Sequence, residues 1–213
     1  MPRMPAPLQT IHAQVAQPFY AALGVTMSRW QHVETGLFVV AHALMATTYE
    51  VTSTVFFLIR SADTKLALVD KLCHRTLPAK VCETNWRPLR KAVNSYVEYR
   101  NGLAHFELNF LTDARTMVET SVPVILSPHH LDVGAVVDGQ VRAVSYENLI
   151  EAGKEFLDGT RRLIQFGAAH IPHWRRQVKL LPSNLQRALV SLENELIEPE
   201  LPPPPRQPRG RPK

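Results

Sequence analysis

The sequence predicts a mainly α-helical protein, an up-and-down helical bundle with a small extended insertion, and three observations support this class. Apolar residues recur at helical spacing through several long segments. Residues typical of helix starts, such as Ser28 with Gln31 and the later Ser145, precede two of these segments. Runs rich in valine and isoleucine follow between about 122 and 144. With 213 residues and 45% hydrophobic content, the chain is long and apolar enough to bury a substantial core.

The first half of the chain is predicted to be helical throughout. Residues 49–60 contain many β-branched side chains, which favour strands, but they lack strict alternation, and we therefore assign a helix there. The helices expected in this half are Leu8–Leu23 ending at Gly24, a segment from Ser28 through Leu44, Tyr49–Arg60, a segment from Asp63 to Pro78, and Asn85–His105. The last of these has the clearest apolar stripe, and Pro88 in its first turn is compatible with a helix.

The second half changes in character. Short strands are expected at Val122–Leu126 and Gln140–Val144, and Ser145 then caps a further amphipathic helix. A short helix is expected near Ser183–Ile197. We therefore expect one helical domain over residues 1–198, with an insertion at about 108–144, followed by a disordered proline- and arginine-rich tail over 199–213.

The formal net charge of +5 is concentrated in this tail. From Pro199 onward the arginines and Lys213 oppose only Glu200, which gives the tail a net charge of +3 and leaves +2 for the preceding residues. A folded domain near neutrality does not predict a broad nucleic-acid surface. We therefore expect the tail to be the part of the chain that contacts DNA.

Composition also argues against several classes of protein. No apolar stretch reaches the length of a membrane span, and the N-terminus has no hydrophobic signal core, so we expect a cytoplasmic protein without a membrane partner. Cys73, His74 and Cys82 lack the paired spacing and the fourth ligand of a zinc site. We expect two reduced thiols, no metal and no cofactor.

The most informative stretch reads Arg100-Asn101-Gly102-Leu103-Ala104-His105. Arg100 falls on the apolar side of its helix, where a guanidinium without a partner would be costly, so we expect it to face a partner, a cleft or a subunit interface. A histidine can accept or donate a proton at the 2′-hydroxyl or the leaving oxygen of an RNA phosphodiester. An arginine can hold the phosphate, and an asparagine can orient either group. Such a cluster can cleave RNA without a metal.

A second interpretation of the same residues stays open on spacing alone. Arg100 and His105 are separated by roughly 140° around an ideal helix, and they converge only if the helix loosens near Gly102 or if two chains pool their motifs. Polar residues at a helix C-terminus also complement the helix dipole and bond the last carbonyl groups without any catalytic role.

The residues from Arg100 to His105 resemble the RN-x-x-x-H signature of HEPN domains (higher eukaryotes and prokaryotes nucleotide-binding), in its bacterial RNxxAH form. The resemblance extends in helical pattern from Trp30 to Phe166. It implies an α-helical bundle, usually a homodimer, in which the motifs of both chains meet in an interface cleft.

Catalytic HEPN proteins are metal-independent ribonucleases. The resemblance therefore implies RNA as the substrate, Arg100 and His105 as catalytic residues with Asn101 in support, and an antitoxin-like or regulatory protein as a further partner. Because the family also contains members without demonstrated activity, a non-catalytic binding or dimerisation module is the alternative function.

The tail ends in the sequence PRGRPK, which looks like an AT-hook. The Arg-Gly-Arg-Pro core of such a hook lies extended in the narrow minor groove of A·T-rich DNA. The residues expected to bind DNA are Arg206, Arg209, Gly210, Arg211 and Lys213. A basic, proline-rich extension without sequence preference is the alternative.

Overall fold

The computed structural model describes residues 6–104, 106–112, 119–128, 136–137, 140–141 and 144–194. This part of the chain is mainly α-helical and forms a helical bundle with a small β insertion, which confirms the predicted fold class. Its α-helices are α1 (Ala6–Met45), α2 (Tyr49–Leu58), α3 (Ala62–Thr76), α4 (Ala79–Val81), α5 (Arg87–Ala104), α6 (Tyr146–His170), α7 (Trp174–Lys179) and α8 (Ser183–Asn194). A π-helical turn at Cys82–Trp86 leads into α5.

The chain divides into two compact units. Unit 1 combines Met1–Thr26, Asn101–Ala152 and Pro199–Lys213, and unit 2 combines Met27–Arg100 with Gly153–Glu198. None of the helices in the described part of the chain is both long and apolar enough to cross a membrane.

The insertion in unit 1 contains two separate antiparallel pairs of strands. The strands are β1 (Phe106–Thr112), β2 (Glu119–Pro128), β3 (Val136–Val137) and β4 (Gln140–Val141). β1 pairs with β2, and β3 pairs with β4. The strand predicted at Val122–Leu126 lies within β2, and β4 covers the first two residues of the strand predicted at Gln140–Val144. Each pairs with a strand that the sequence analysis did not assign. β1 also moves the start of the insertion forward from about 108 to Phe106.

Helix α6 begins in unit 1 with the expected serine cap. The backbone N–H of Asn148 donates to Oγ of Ser145 over 3.2 Å. The hydroxyl of Thr26 on α1 lies 2.8 Å from the backbone carbonyl oxygen of Leu149 and donates to it. This buried side-chain bond ties the first part of α1 to the start of α6 within unit 1.

The core of unit 2 is aromatic and brings three helices together. The ring of Phe156 on α6 lies 5.7 Å from Trp30 on α1 and 5.5 Å from Tyr96 on α5, measured between centroids. In the π-helical turn just before α5, the ring of Trp86 lies 5.4 Å from that of Phe166 between centroids. Phe156 in the first half of α6 meets Tyr96, whereas Phe166, ten residues later, meets the earlier residue Trp86. Helices α5 and α6 therefore run antiparallel in this unit.

Helix α2 packs antiparallel against α1 in the same unit. Phe38 and Phe56 have ring centroids 5.5 Å apart, and Nδ1 of His42 lies 3.1 Å from Oγ1 of Thr52. Thr48 caps this helix by accepting the backbone N–H of the third residue of α2. The helix predicted over 49–60 is thus confirmed, because burial of Phe56 and Thr52 on one side outweighs the β-branched composition.

The predicted break between the first two helices is wrong. α1 runs without interruption through Gly24 and Ser28. A glycine inside a helix costs only about 1 kcal/mol relative to alanine, and the buried side chains of Phe19, Ala22 and Trp30 continue one side of the helix across it. α7 and the three-residue α4 are the described α-helices for which the sequence analysis assigned none, since both are too short for a clear apolar period.

Candidate functional site

The motif lies on the last turns of α5. Val97 and Leu103 on this helix are buried, whereas Arg100 is half-buried beside them. The helix stays regular through Gly102 and ends at Ala104, so it does not loosen at the glycine. The half-buried side chain of Arg100 agrees with its expected place on the apolar side of the helix, and the expectation that it faces a partner, a cleft or a subunit interface stays a prediction.

The division between the units falls inside the motif. Arg100 is the last residue of this segment of unit 2, and Asn101, also half-buried, is the first of the next segment of unit 1. Arg100 and Asn101, two of the catalytic candidates, are neighbours on α5 and belong to different units. The remaining candidates, His105, Arg206, Arg209, Gly210, Arg211 and Lys213, lie outside the described residues.

Aromatic residues surround the unit 2 side of α5 just before Arg100. The ring of Tyr99 lies 6.3 Å from Phe156 between centroids. Burial, with a contribution from the nearby carboxylate of Glu155, raises the pKa of Tyr99 to about 12. Its phenol therefore stays protonated at neutral pH and can act as a hydrogen-bond donor, but not as a general base.

Arg29 is a second buried cation in unit 2 that sequence analysis missed. It lies on α1 and is only 5% exposed. A guanidinium stays charged at all relevant pH values, so a nearly buried one requires compensating contacts. Arg29 lies one helical turn from Thr26 and from Val33, both of which are buried. This spacing indicates burial of Arg29 once one continuous helix is assigned across Gly24 and Ser28.

Asp70 on α3 joins three elements of unit 2. Its Oδ1 accepts the indole N–H of Trp86 over 2.8 Å and lies 3.3 Å from Nε of Arg90. Nδ1 of His74 lies 3.5 Å from the same carboxylate oxygen. Because Trp86 is fully buried and Asp70 is partly exposed, this carboxylate fixes the C-terminal part of α3 against the start of α5.

Glu34 pairs with a nearly buried lysine. Nζ of Lys65 donates to its carboxylate over 3.0 Å, and the lysine side chain is 10% exposed. The same ammonium group lies 5.2 Å from the centroid of the Phe56 ring. This pair links α1 to α3 within unit 2 and has the geometry of a structural ion pair with an added cation–π contact.

Both cysteines lie in the core of unit 2. Cys73 and Cys82 are buried and free, and Sγ of Cys82 lies 3.4 Å from the carbonyl oxygen of Cys73. Burial raises the pKa of both thiols, so they stay in the unreactive protonated form. Within the described ranges, no group of three or more His, Cys, Asp or Glu side chains could hold a metal ion.

Comparison with known proteins gives no match. No family model fits the chain, and neither a similar curated protein nor a similar solved structure is found. Arguments about function therefore come from the residues of this chain and their chemistry.

Proposed function

We propose that this protein is a metal-independent endoribonuclease of the HEPN type. His105 transfers the proton, Arg100 binds the phosphate, and Asn101 orients one of these groups. The observation that carries the proposal is the Arg-Asn-x-x-Ala-His sequence at the C-terminal end of the amphipathic helix α5. The half-buried position of Arg100 in a mainly α-helical bundle supports it.

The proposed reaction uses the 2′-hydroxyl of the RNA as the nucleophile. The 2′-oxygen attacks phosphorus, a P–O2′ bond forms, and the P–O5′ bond breaks. A base takes the proton of the 2′-hydroxyl, and an acid gives a proton to the departing 5′-oxygen. The products are a 2′,3′-cyclic phosphate and a 5′-hydroxyl. Arg100 stabilises the negative charge that builds up on the phosphate oxygens.

This chemistry favours a dimer in which two motifs share one cleft. The reaction needs a base and an acid at the same time, but each chain supplies one motif histidine, His105. Two chains related by a two-fold axis would supply both groups. We therefore expect a homodimer at micromolar concentration. A strictly monomeric species in light scattering, with cleavage at full rate, would contradict this arrangement.

Cleavage of mixed RNA in excess chelator tests the activity. His105→Ala should lower the rate by about 10²- to 10⁴-fold, the usual contribution of a positioned acid or base. Arg100→Ala should lower it by about 10²- to 10³-fold, the usual contribution of one group that stabilises charge in the transition state. Arg161→Ala on α6 removes the same kind of charge away from the motif and should cleave at the wild-type rate. Thermal unfolding by circular dichroism checks that each variant remains folded.

A substrate variant separates this mechanism from chemistries that do not use the 2′-hydroxyl, and the alanine variants exclude a contaminating ribonuclease. An RNA with one 2′-deoxynucleotide at the cleavage position should resist cleavage there, because the nucleophile is missing. If the deoxy position is cut as fast as its neighbours, or if Arg100→Ala and His105→Ala retain wild-type activity, the proposed mechanism is refuted.

The second candidate function is a non-catalytic binding or dimerisation module tethered to A·T-rich DNA. The Arg-Gly-Arg-Pro sequence of the tail favours it. Under this proposal, Arg209→Ala with Arg211→Ala abolishes the preference for an A·T-rich duplex over a G·C-rich duplex of equal length, without a change in thermal stability. Equal binding of both duplexes by the intact protein would refute the hook.

A further inference from the structure

Positive charge in unit 2 is concentrated in two stretches of sequence. Between Lys71 and Val97, Glu83 is the only carboxylate, and between Gly159 and Leu192 there is none. The cations in these stretches that lie on the elements from α3 to α5 and on α7 are Lys71, Arg75, Lys80, Arg87, Arg90, Lys91, Arg175, Arg176 and Lys179. Every one of them is exposed. We call this set the basic end.

The contacts of unit 2 place these elements side by side. The Asp70–Trp86 hydrogen bond joins the C-terminal part of α3 to the start of α5. The Trp86–Phe166 ring contact joins the start of α5 to the C-terminal part of α6. Trp174 at the start of α7 packs directly on Gly167 of α6. The exposed cations beside these contacts therefore lie at the same end of the unit 2 bundle.

Few carboxylates offset this charge. Among the residues that the structure describes, the acidic groups facing this end are Glu50, Asp70 and Glu83. Glu83 pairs with Arg87 over 3.0 Å, and Asp70 pairs with Arg90 over 3.3 Å. Within the part of the chain that the structure describes, Arg75, Arg175 and Arg176 are not engaged in ion pairs. The basic end thus keeps a clear excess of available positive charge.

The α5 part of the basic end also lines one side of a groove. Its volume is about 560 Å³, and its lining includes Arg87, Pro88, Arg90, Lys91 and Asn94. Positions 87, 90, 91 and 94 are spaced three and four residues apart, so their side chains lie on one face of the helix. A groove with cations on one face is suited to follow a chain of phosphates.

We infer that the basic end binds the phosphodiester backbone of single-stranded RNA. The repeated positive charge, spread over α3, α4, α5 and α7, complements a polyanion better than a single phosphate. Among the described residues, the aromatic rings next to these cations, Trp86 and Trp174, are buried, so the surface recognises charge rather than bases. The choice of RNA over other polyanions rests on the proposed function, in which this surface holds substrate at a distance from Arg100.

The test compares two triple variants of the full-length protein with the same change in charge. Arg75→Gln, Arg175→Gln and Arg176→Gln remove charge from the basic end. Arg60→Gln, Arg161→Gln and Arg162→Gln remove three arginine charges from other parts of unit 2. The probe is a fluorescent 20-nucleotide 2′-O-methyl oligouridine, which the proposed reaction cannot cleave because its nucleophile is blocked.

Binding is measured by anisotropy from about 50 to 200 mM salt. The basic-end triple variant should bind the probe about tenfold more weakly at low salt. Its slope of log affinity against log salt should fall by about 2, because each lost phosphate contact contributes about 0.7 for a single strand. The control triple variant should stay within about twofold of the wild type. Circular dichroism melting confirms that both variants are folded.

Equal weakening in the two triple variants would overturn the inference, because only overall charge would then matter. It is also overturned if the basic-end variant weakens binding to a DNA duplex of 20 base pairs but not to the RNA probe. Cleavage of unmodified RNA is measured separately on the same proteins. If RNA binding depends on the basic end but no RNA is cleaved, the proposed function is refuted and this inference stands. If RNA is cleaved but both triple variants bind the probe equally well, this inference is refuted and the proposed function stands.

Discussion

Gly167→Ala should destabilise the protein even though it introduces a better helix former. Gly167 lies in α6, and a Cβ atom built there would lie 2.1, 2.4 and 2.5 Å from three atoms of the Trp174 ring. Ordinary contact begins near 3.4 Å, so the ring would have to move by more than 1 Å. Trp174 is 8% exposed and belongs to the core cluster of unit 2, which leaves it little room to move.

Two opposing contributions decide the magnitude. Replacing glycine by alanine inside a helix stabilises it by about 1 kcal/mol. Forcing an extra methyl group into a packed core costs about 1–3 kcal/mol, and here the obstacle is a large rigid ring. Because three atoms of that ring lie within 2.5 Å of the new Cβ position, we take the upper part of this cost, about 2–3 kcal/mol, and expect a net loss of about 1–2 kcal/mol in the free energy of unfolding. For a chain of this length this corresponds to a fall in melting temperature of about 2–8 °C.

Gly24→Ala is the matched control, because the same substitution meets no obstacle there. No atom lies within 4 Å of the position of its Cβ, and Gly24 is inside α1. We expect a gain of about 0.5–1 kcal/mol. The assay is urea unfolding followed by circular dichroism, with near-ultraviolet spectra to report on the tryptophan environments. If Gly167→Ala is as stabilising as Gly24→Ala, α7 does not pack on α6 as described.

Three further predictions concern buried groups of unit 2. Burial lowers the pKa of His42 below its usual 6.5, so the unfolded chain binds a proton at a higher pH than the folded protein does. The free energy of unfolding should therefore fall as the pH drops below about 6.5, by up to about 1.4 kcal/mol per pH unit. Urea unfolding of His42→Gln should show a flatter dependence on pH between about 6.5 and 5. The buried thiols Cys73 and Cys82 should react with a disulfide reagent at pH 8 far more slowly in the native protein than in the urea-unfolded chain, and fast native labelling would contradict their burial. Glu34→Gln leaves the ammonium group of Lys65 without its carboxylate and should cost about 1–2 kcal/mol, whereas adding Lys65→Met should recover part of the loss in the same unfolding assay.

Helix periods and caps predicted most of the helical elements, because these signals act within a few residues. The Ser145 cap is an example in which local chemistry and the observed structure agree. In the helix over 49–60, burial of one side outweighs a local composition that favours a strand. The break at Gly24 was wrong for the same reason, since glycine is a local signal that a continuous buried side overrides. Strand pairing depends on distant residues, and the partnership of β2 with β1 had no comparable local signal.

The charge of the folded part shows why a net value can mislead. A balance near neutrality predicted no nucleic-acid surface, and that inference assumed that opposite charges are mixed. The described structure instead gathers cations from α3, α5 and α7 around the contacts of Trp86, Phe166 and Trp174. Coulomb interactions weaken within about 10 Å in salt, so an approaching polyanion responds to this local excess rather than to carboxylates elsewhere. A chain with a small net charge can therefore still present a strongly basic surface at one end of a unit.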